Sequence, residues 1–373
     1  MRKLLLLVIG FFSLTIPSLV SAQEVHQDIQ GLWRAEVIRV VSEEEVSLPG
    51  TEATHPSQVL EVTPLEGERE GESIIFTNDF VQLEAGDKFF LYYLIDINGE
   101  EMFSVRDIDR RPVMLWFLGA FILATILLGG KQGVKALLSL LGTFFVILYI
   151  LVPSLLAGYP PVITSTLIAS LILAIVIYVT HGWNNESHTA FAGTVAGVIT
   201  TGILAYIGVA MATLTGFASD EAVYLNFNTP GLDFSGLLLG GIIIGALGVL
   251  DDIAVTQSAV VSELYGSSPT ISRREAYRRA LRVGKEHVGA LVNTLALAYT
   301  GAALPLLLLF STSDSSVSSI LNQEVFATEI IRTITGSIGL IMTVPITTLL
   351  AVFFLEKHRG KPSEHTHSHS HGH

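Results

Sequence analysis

The sequence predicts a multi-pass α-helical membrane protein with a small N-terminal, extracytoplasmic all-β domain of barrel-like form. Two observations support this fold class. Half of the 373 residues are hydrophobic and only 15% are charged, a balance typical of integral membrane proteins. The formal charge of −13 belongs to residues 23–112, which hold 20 Asp and Glu and 7 Lys and Arg, whereas the remainder is neutral. One acidic soluble domain therefore precedes an apolar body.

The composition argues against several classes of function. The chain has no cysteine, so neither disulfides nor a thiol active site is available. The acidic domain offers no basic patch for nucleic acid. The sequence also lacks a P-loop, a nucleophile elbow and a metalloprotease helix motif, so we expect no enzymatic activity, no catalytic residue and no bound cofactor.

Residues 1–22 have the form of a signal sequence. Arg2 and Lys3 are followed by an apolar stretch that ends at Pro17, and small residues occupy positions 21 and 22. The stretch is short for a spanning helix, which favours a cleaved signal peptide over a retained signal anchor.

Residues 23–112 alternate in the manner of β-strands. Examples begin at Trp33, Gln58, Ser73 and Lys88, and turn signals that contain glycine separate them. Branched and aromatic side chains at alternate positions favour a small β domain of five or six strands.

From residue 113 the chain is apolar in blocks long enough to cross a bilayer as helices. Lys and Arg cluster in the loops after the first, fifth and seventh blocks, and the loops 153–160, 215–233 and 312–328 have neither. By the positive-inside rule these latter loops and the β domain lie outside, and the C-terminus is cytoplasmic. Arg332, near the outer end of the last block, is the exception. The seven predicted spans are 113–129, 134–152, 161–180, 189–214, 234–255, 288–311 and 329–355.

Two adjacent aspartates, Asp251 and Asp252, interrupt the apolar fifth span. A carboxylate at bilayer depth costs between about 2.5 and more than 10 kcal/mol. Neighbouring carboxylates also repel each other, so one of the pair is suited to take up a proton or a cation. Thr256 follows one helical turn later. The alternative is that both aspartates lie at the cytoplasmic mouth of the bundle and simply end the span.

Helical periodicity places Asp252 on a stripe with Gly241, Gly245 and Gly248. Glycine stripes allow a neighbouring helix to approach closely. We therefore expect helix packing at these three glycines and an Asp252 side chain that points into the bundle. Asp251 lies about 100° away on the same helix.

A basic amphipathic helix is predicted near residues 272–285, on the cytoplasmic surface before the sixth span. Ser272 and Glu275 form a capping-box pattern, and the basic face suits anionic lipid. An ordinary positive-inside loop is the alternative explanation of the charges. In the sixth span, Asn293 could meet the Asp pair or simply bond a neighbouring helix.

The tail, residues 356–373, is predicted to be cytoplasmic and is rich in histidine. Alternating imidazoles could bind a divalent metal such as Zn²⁺, Ni²⁺ or Cu²⁺, and an idle tail is the alternative. The histidines concerned are His365, His367, His369, His371 and His373.

The motif at residues 245–258 reads Gly-Ala-Leu-Gly-Val-Leu-Asp-Asp-Ile-Ala-Val-Thr-Gln-Ser. With a signal sequence and a β domain before it, it resembles the YibE/YibF-like family of bacterial membrane proteins. This resemblance implies a multi-pass protein of the cytoplasmic (inner) membrane. The order of elements over residues 248–310 is more distantly similar to the transmembrane core of resistance–nodulation–division exporters and SecD/SecF proteins. In those families, carboxylates on the matching helix carry proton coupling, which implies Asp251 and Asp252 here.

These features lead to two functional hypotheses. The first is a proton- or cation-coupled transport component that uses Asp251, Asp252, Asn293 and Thr256. The second is a membrane-anchored assembly or envelope module whose β domain binds a partner and whose aspartates are structural. In both cases the expected partners are the lipid bilayer and either a second copy of the chain or another membrane protein.

Overall fold

The computed structural model describes residues 29–47, 54–95, 99–229, 231–313 and 316–358. Contacts along the backbone divide the chain into two compact units, with the boundary between Phe121 and Ile122. The predicted signal sequence and the five histidines of the predicted metal site lie outside the described residues.

The N-terminal unit contains a five-stranded antiparallel sheet. Its strands are β1 (Ile29–Ser47), β2 (Thr54–Pro64), β3 (Ile74–Asn78), β4 (Lys88–Ile95) and β5 (Glu101–Ile108). The order across the sheet is β3-β2-β1-β4-β5, so the long strand β1 is central. The sheet curls into a half-barrel, and the backbones of its edge strands β3 and β5 approach each other. The predicted small β domain is thereby confirmed.

Alternation along the strands gives the half-barrel one apolar face. Ala35, Leu60, Phe89 and Leu91 are fully buried on that face. At its margin, Trp33 stacks on the ring of Tyr93 with the ring centroids 4.7 Å apart. The half-barrel therefore has a hydrophobic core of its own.

A charged cluster ends the sheet. The side chain of Asp109 is only 2% exposed, and its two oxygens accept hydrogen bonds of 2.7 and 2.8 Å from the guanidinium of Arg111. Arg34 Nε lies 3.4 Å from Asp109 Oδ2. These bonds from Arg111, helped by its backbone N–H and by the charge of Arg34, lower the pKa of Asp109 to about 2. The carboxylate thus stays charged although it is enclosed.

Helices follow from Arg111 onward. Several begin at a side chain that accepts a hydrogen bond from the first turn, which satisfies a free backbone N–H. Ser272 accepts such a bond from Glu275, as the capping-box pattern predicted. The helices are α1 (Arg111–Val146), α2 (Val152–Leu156), α3 (Pro161–His181), α4 (Asn185–Met211), α5 (Asp220–Asn228), α6 (Phe234–Ser267), α7 (Arg273–Ala302), α8 (Leu304–Ser311), α9 (Val317–Leu321) and α10 (Glu324–Phe354).

Helix α1 is broken at Gly130, which has φ 52° and ψ −132°. Beyond the break, the carbonyl oxygen of Thr125 lies 2.1 Å from the position that a Cβ of Gly133 would occupy. In a continuous helix, residues eight apart are separated by about 12 Å. The chain therefore turns back on itself at Gly130, which falls between the predicted spans 113–129 and 134–152.

Five helices are long and apolar enough to cross a membrane. They become six if α7 and α8, which are bent by 64° at their junction, form one broken span. The sequence predicted seven spans. The number is smaller here because Arg111–Leu156, which covers the predicted spans 113–129 and 134–152, is one helical stretch in this count. A π-helical turn joins α1 to α2 within it. The described helices thus indicate a membrane protein.

Two segments that the sequence analysis predicts separately are joined in the structure. The predicted amphipathic helix near residues 272–285 and the span predicted from residue 288 are one continuous helix, α7. Gly284 and Gly289 lie at the junction of the charged and apolar parts, but no proline interrupts it, so the hydrogen-bond ladder runs through. The basic segment is the first half of a helix that also carries the Asn293 position.

Helices α4 and α10 share the most extensive contact among the described helices. Gly193 and Gly197 on α4 face the hydroxyl oxygens of Thr347 and Thr343 on α10, and a Cβ at these glycines would lie 2.3 and 2.2 Å from those oxygens. A Cβ at Gly339 of α10 would lie 1.9 Å from the hydroxyl of Thr201 on α4. Small residues thus allow the two backbones to approach, as is common between membrane helices.

Candidate functional site

Helix α6 carries the Asp pair. Asp233 caps its first turn by accepting a hydrogen bond of 2.9 Å from the backbone N–H of Gly236. The helix is 34 residues long, or about 50 Å at 1.5 Å per residue, more than a bilayer core of about 30 Å. Its buried face is formed by branched residues such as Ile242, Leu250 and Ile253. These residues pack against α3, α4 and α10 and fix the rotation of α6 about its axis.

This rotation encloses Asp251 and exposes Asp252. Asp251 is half-buried, and its Oδ1 is shut off from solvent with no hydrogen-bond partner in the part of the chain that the structure describes. The side chain of Asp252 is 61% exposed. The expectation that Asp252 points into the bundle is therefore wrong, since the bulky aliphatic face of α6 turns inward and carries Asp251 partly with it.

The glycine stripe is open rather than packed. A Cβ added at Gly241 or Gly248 would meet nothing within 4 Å, and one at Gly245 would meet only the hydroxyl of Tyr299, at 3.2 Å. The prediction that Gly241, Gly245 and Gly248 receive a neighbouring helix is not met within the described residues. Glycine permits close packing but does not drive it, so the burial of larger side chains decides which face turns inward.

Asp252 has one nearby ionisable group on the next helix. His287 Nε2 on α7 lies 3.8 Å from Asp252 Oδ2, and the His287 side chain is 41% exposed. Both groups are accessible at the surface of the described chain. This distance is longer than a direct hydrogen bond, so a proton passes between the imidazole and the carboxylate only through a bridging water or after a small side-chain movement.

Thr256 lines a pocket of about 420 Å³, one helical turn beyond Asp252. The carboxylate of Glu186 also lines it, and Glu186 Oε1 accepts a hydrogen bond of 2.5 Å from Ser262 of α6. Ser187 is buried, and its hydroxyl has no hydrogen-bond partner among the residues described. This pocket offers oxygen ligands at the start of α4. The remaining lining residues are His181, Ala190, Val255, Ala259 and Val260.

Asn293 is not brought to the Asp pair. Its side chain is exposed on α7, and the described structure contains no hydrogen bond from it to Asp251 or Asp252. Of the four predicted coupling residues, Asp251, Asp252 and Thr256 lie in one six-residue stretch of α6, and Asn293 is on α7.

Sequence reasoning did not assign a role to Gln257, which is fully buried on α6. Its Oε1 accepts a hydrogen bond of 2.8 Å from Thr348 on α10. Its Nε2 would lie 2.7 Å from a Cβ at Gly284 of α7. Gln257 thus joins α6, α7 and α10. A polar amide inside an apolar run was the signal that could have identified it.

Metal-binding geometry is absent from the described residues. They contain no group of three or more His, Asp or Glu side chains placed to hold a metal ion. Binding of a divalent metal by the histidine tail stays a prediction. What the site contains is a half-buried carboxylate with one enclosed oxygen, an accessible carboxylate–imidazole pair and a pocket to which Thr256 and Glu186 contribute.

Comparison with known proteins gives one match. The family model described as YibE/F-like protein matches residues 117–357, most of the helical unit. No curated protein matches the chain, and no solved structure does. The more distant likeness to resistance–nodulation–division and SecD/SecF proteins therefore stays a prediction.

Proposed function

The chain belongs to the YibE/F-like family, and from this premise we propose that it is a proton- or cation-coupled transport component of the bacterial cytoplasmic membrane. The apolar helices support the membrane location. The charge pattern supports an orientation with the β domain outside, because the basic first half of α7 suits the cytoplasmic side. In this orientation Asp251 and Asp252 lie in the cytoplasmic half of α6.

The observation that carries the proposal is the enclosed, unpartnered Oδ1 of Asp251. An ionised carboxylate without a hydrogen-bond partner or counter-ion is costly in such a place. A bound proton or a bound cation removes that cost. Asp251 therefore has two states that differ in charge, which is what coupling to an ion gradient requires.

Asp252 and His287 have the complementary role in this proposal. They are accessible and 3.8 Å apart, so they can exchange protons with water on the cytoplasmic side and deliver them one residue away. Thr256 and the pocket beside Glu186 offer neutral and charged oxygen atoms for a cation instead.

Ion flux through the reconstituted chain tests the proposal. The full-length protein is placed in liposomes that contain a pH-sensitive dye, and a potassium gradient with valinomycin supplies the driving potential. We expect Asp251→Asn to lower the proton flux at least about tenfold relative to wild type. The matched control is Glu263→Gln, an exposed carboxylate on the same helix, which should leave the flux unchanged.

The same liposomes separate the ion choices. If a sodium gradient drives an ion flux that depends on Asp251, and a proton gradient drives no such flux, the coupling ion is a metal cation and not the proton. Asp252→Asn and His287→Gln should slow the flux less than Asp251→Asn does, because other accessible groups can exchange protons with water. Equal flux in wild type and Asp251→Asn under both gradients would remove the Asp pair from any coupling mechanism.

A second function has its own supporting observation. The described β domain exposes large apolar side chains, among them Ile75 at 59% and Phe80 at 66%, and such residues suit contact with another protein. In this alternative the β domain docks a membrane-protein partner and the aspartates are structural. A photo-reactive residue at position 80 of the full-length protein should then cross-link one partner, while Asp251→Asn leaves both cross-linking and cellular function intact.

A further inference from the structure

A second pocket lies at the opposite end of α6, about ten residues before the Asp pair. It has a volume of about 340 Å³, which is within the usual range for small-molecule sites. Its charged lining residues are Glu329 and Arg332 of α10, and the start of α6 supplies its apolar wall. The other lining residues are Gly216, Ala218, Ser219, Phe234, Leu237, Leu238, Gly241, Val325 and Thr328.

The wall of this pocket is held in place by Glu324. Its carboxylate accepts hydrogen bonds from the backbone N–H groups of Thr215 and Gly216, each at 2.7 Å, and from the Thr215 hydroxyl. Gly216 has φ +88°, and a Cβ there would lie 2.3 Å from the carbonyl oxygen of Phe234. These bonds and the close approach at Gly216 position the loop after α4, which forms part of the pocket wall.

Two polar side chains that line the pocket, Arg332 and Thr328, are costly at the positions where they lie. Arg332 is the only Lys or Arg between residues 286 and 356, and it departs from the charge pattern that sets the orientation. Its Nη1 donates a hydrogen bond of 2.6 Å to Glu329, which leaves further N–H donors on the guanidinium. Thr328 is 2% exposed, and its hydroxyl has no partner in the described residues. A costly cation and an unpartnered buried hydroxyl thus line one cavity.

We propose that this pocket binds a small zwitterion of the amino-acid type with an apolar side chain. Arg332 and the Thr328 hydroxyl hold the carboxylate, because guanidinium groups match carboxylates geometrically. Glu329 holds the ammonium group. The charges of Glu329 and Arg332 cancel, so a ligand with one charge of each sign leaves none unpaired. Phe234, Leu237 and Leu238 receive the apolar side chain.

Binding of L-leucine to the purified full-length protein in detergent tests this assignment. Radiolabelled leucine is competed with unlabelled leucine, with 4-methylpentanoate, which lacks the ammonium group, and with 3-methylbutylamine, which lacks the carboxylate. We expect saturable binding, with each analogue competing at least about tenfold more weakly than leucine, because each leaves one charged group of the pocket unpaired.

Two variants locate the site. Arg332→Gln should weaken leucine binding at least about tenfold, and Thr328→Val, which keeps the side-chain shape, should weaken it several-fold. The control Arg278→Gln removes an exposed arginine on α7 and should leave binding unchanged. If Arg332→Gln fails to fold, Thr328→Val still tests the carboxylate contact.

Several outcomes would overturn the assignment. They are the absence of saturable leucine binding, equal competition by either analogue, and unchanged affinity in a folded Arg332→Gln or Thr328→Val protein. The assignment does not rest on the Asp pair. Asp251→Asn should retain leucine binding, so failure of the ion-coupling proposal and failure of this one are distinguishable.

Discussion

The close contact of α4 and α10 predicts that Gly197→Ala destabilises the protein. The new Cβ would lie 2.2 Å from Thr343 Oγ1, whereas ordinary contacts begin at 3.4 Å. Thr343 cannot rotate away freely, because its hydroxyl donates a hydrogen bond of 2.8 Å to the carbonyl oxygen of Gly339. Overpacking of this kind costs about 1–3 kcal/mol, and the better helix propensity of alanine returns up to about 1 kcal/mol. We expect a net loss of about 1–2 kcal/mol in the free energy of unfolding.

Denaturant-induced unfolding in detergent micelles measures this loss, and two further variants identify its cause. In Gly197→Ala with Thr343→Ala, the nearest remaining threonine atom is Cβ at 3.3 Å, so the double variant should lose less than the sum of the single ones. The control Gly248→Ala places its Cβ in open space and should be neutral or slightly stabilising. If Gly197→Ala is as stable as Gly248→Ala, or if Thr343→Ala brings no rescue, steric overlap between Gly197 and Thr343 is not the cause of any loss.

Three other predictions follow from the fold. The lowered pKa of Asp109 means that its contribution to β-domain stability is complete above about pH 4 and is lost as the pH falls through about 2. The shift corresponds to about 2.5 kcal/mol, and solvent screening reduces this to about 1–2 kcal/mol because the arginine partners are partly exposed. Hydrogen exchange of β1 and β5 amides should show the loss in the intact protein and not in Asp109→Asn. Gly130→Ala should cost about 1–3 kcal/mol because of the positive φ, and helical Gly129→Ala should not; unfolding of both variants checks this. Gln257→Leu should unfold within about 1 kcal/mol of wild type. It removes a buried Nε2 that has no partner among the described residues, and the Thr348 hydroxyl, which loses the Gln257 acceptor, keeps its hydrogen bond to the Val344 carbonyl. A larger loss would mean that the amide bonds a group at that site.

The fold class could be predicted because periodicity and hydropathy are local properties. Alternation over residues 58–62 and 88–95 matches strands β2 and β4, and apolar blocks match the long helices. The continuity of α7 was less visible. A change from charged to apolar composition resembles a boundary between elements, but only a helix-breaking residue or a cap ends a helix.

The candidate site could be predicted only to the nearest helical turn. Periodicity indicates that Asp251 and Asp252 occupy different faces of α6, and it does not indicate which face turns inward. That choice depends on the aliphatic residues that α3, α4 and α10 bury, which are distant in sequence. The same holds for Glu186, whose bond to Ser262 joins residues 76 positions apart.

The glycine–threonine contact of α4 and α10 also bears on how these helices could move. Thr201 and Thr343 each donate their hydroxyl to a carbonyl of their own helix, so these bonds would survive sliding. Gly193 and Gly197 are four residues apart, as are Thr343 and Thr347 that face them. A slide of about 6 Å, four residues of rise, would bring Gly197 to Thr347 but would also bring Thr201, which now faces Gly339, to Thr343. Two threonines would then meet where Gly339 now leaves room for one, so the contact resists sliding and holds α4 and α10 in a single register.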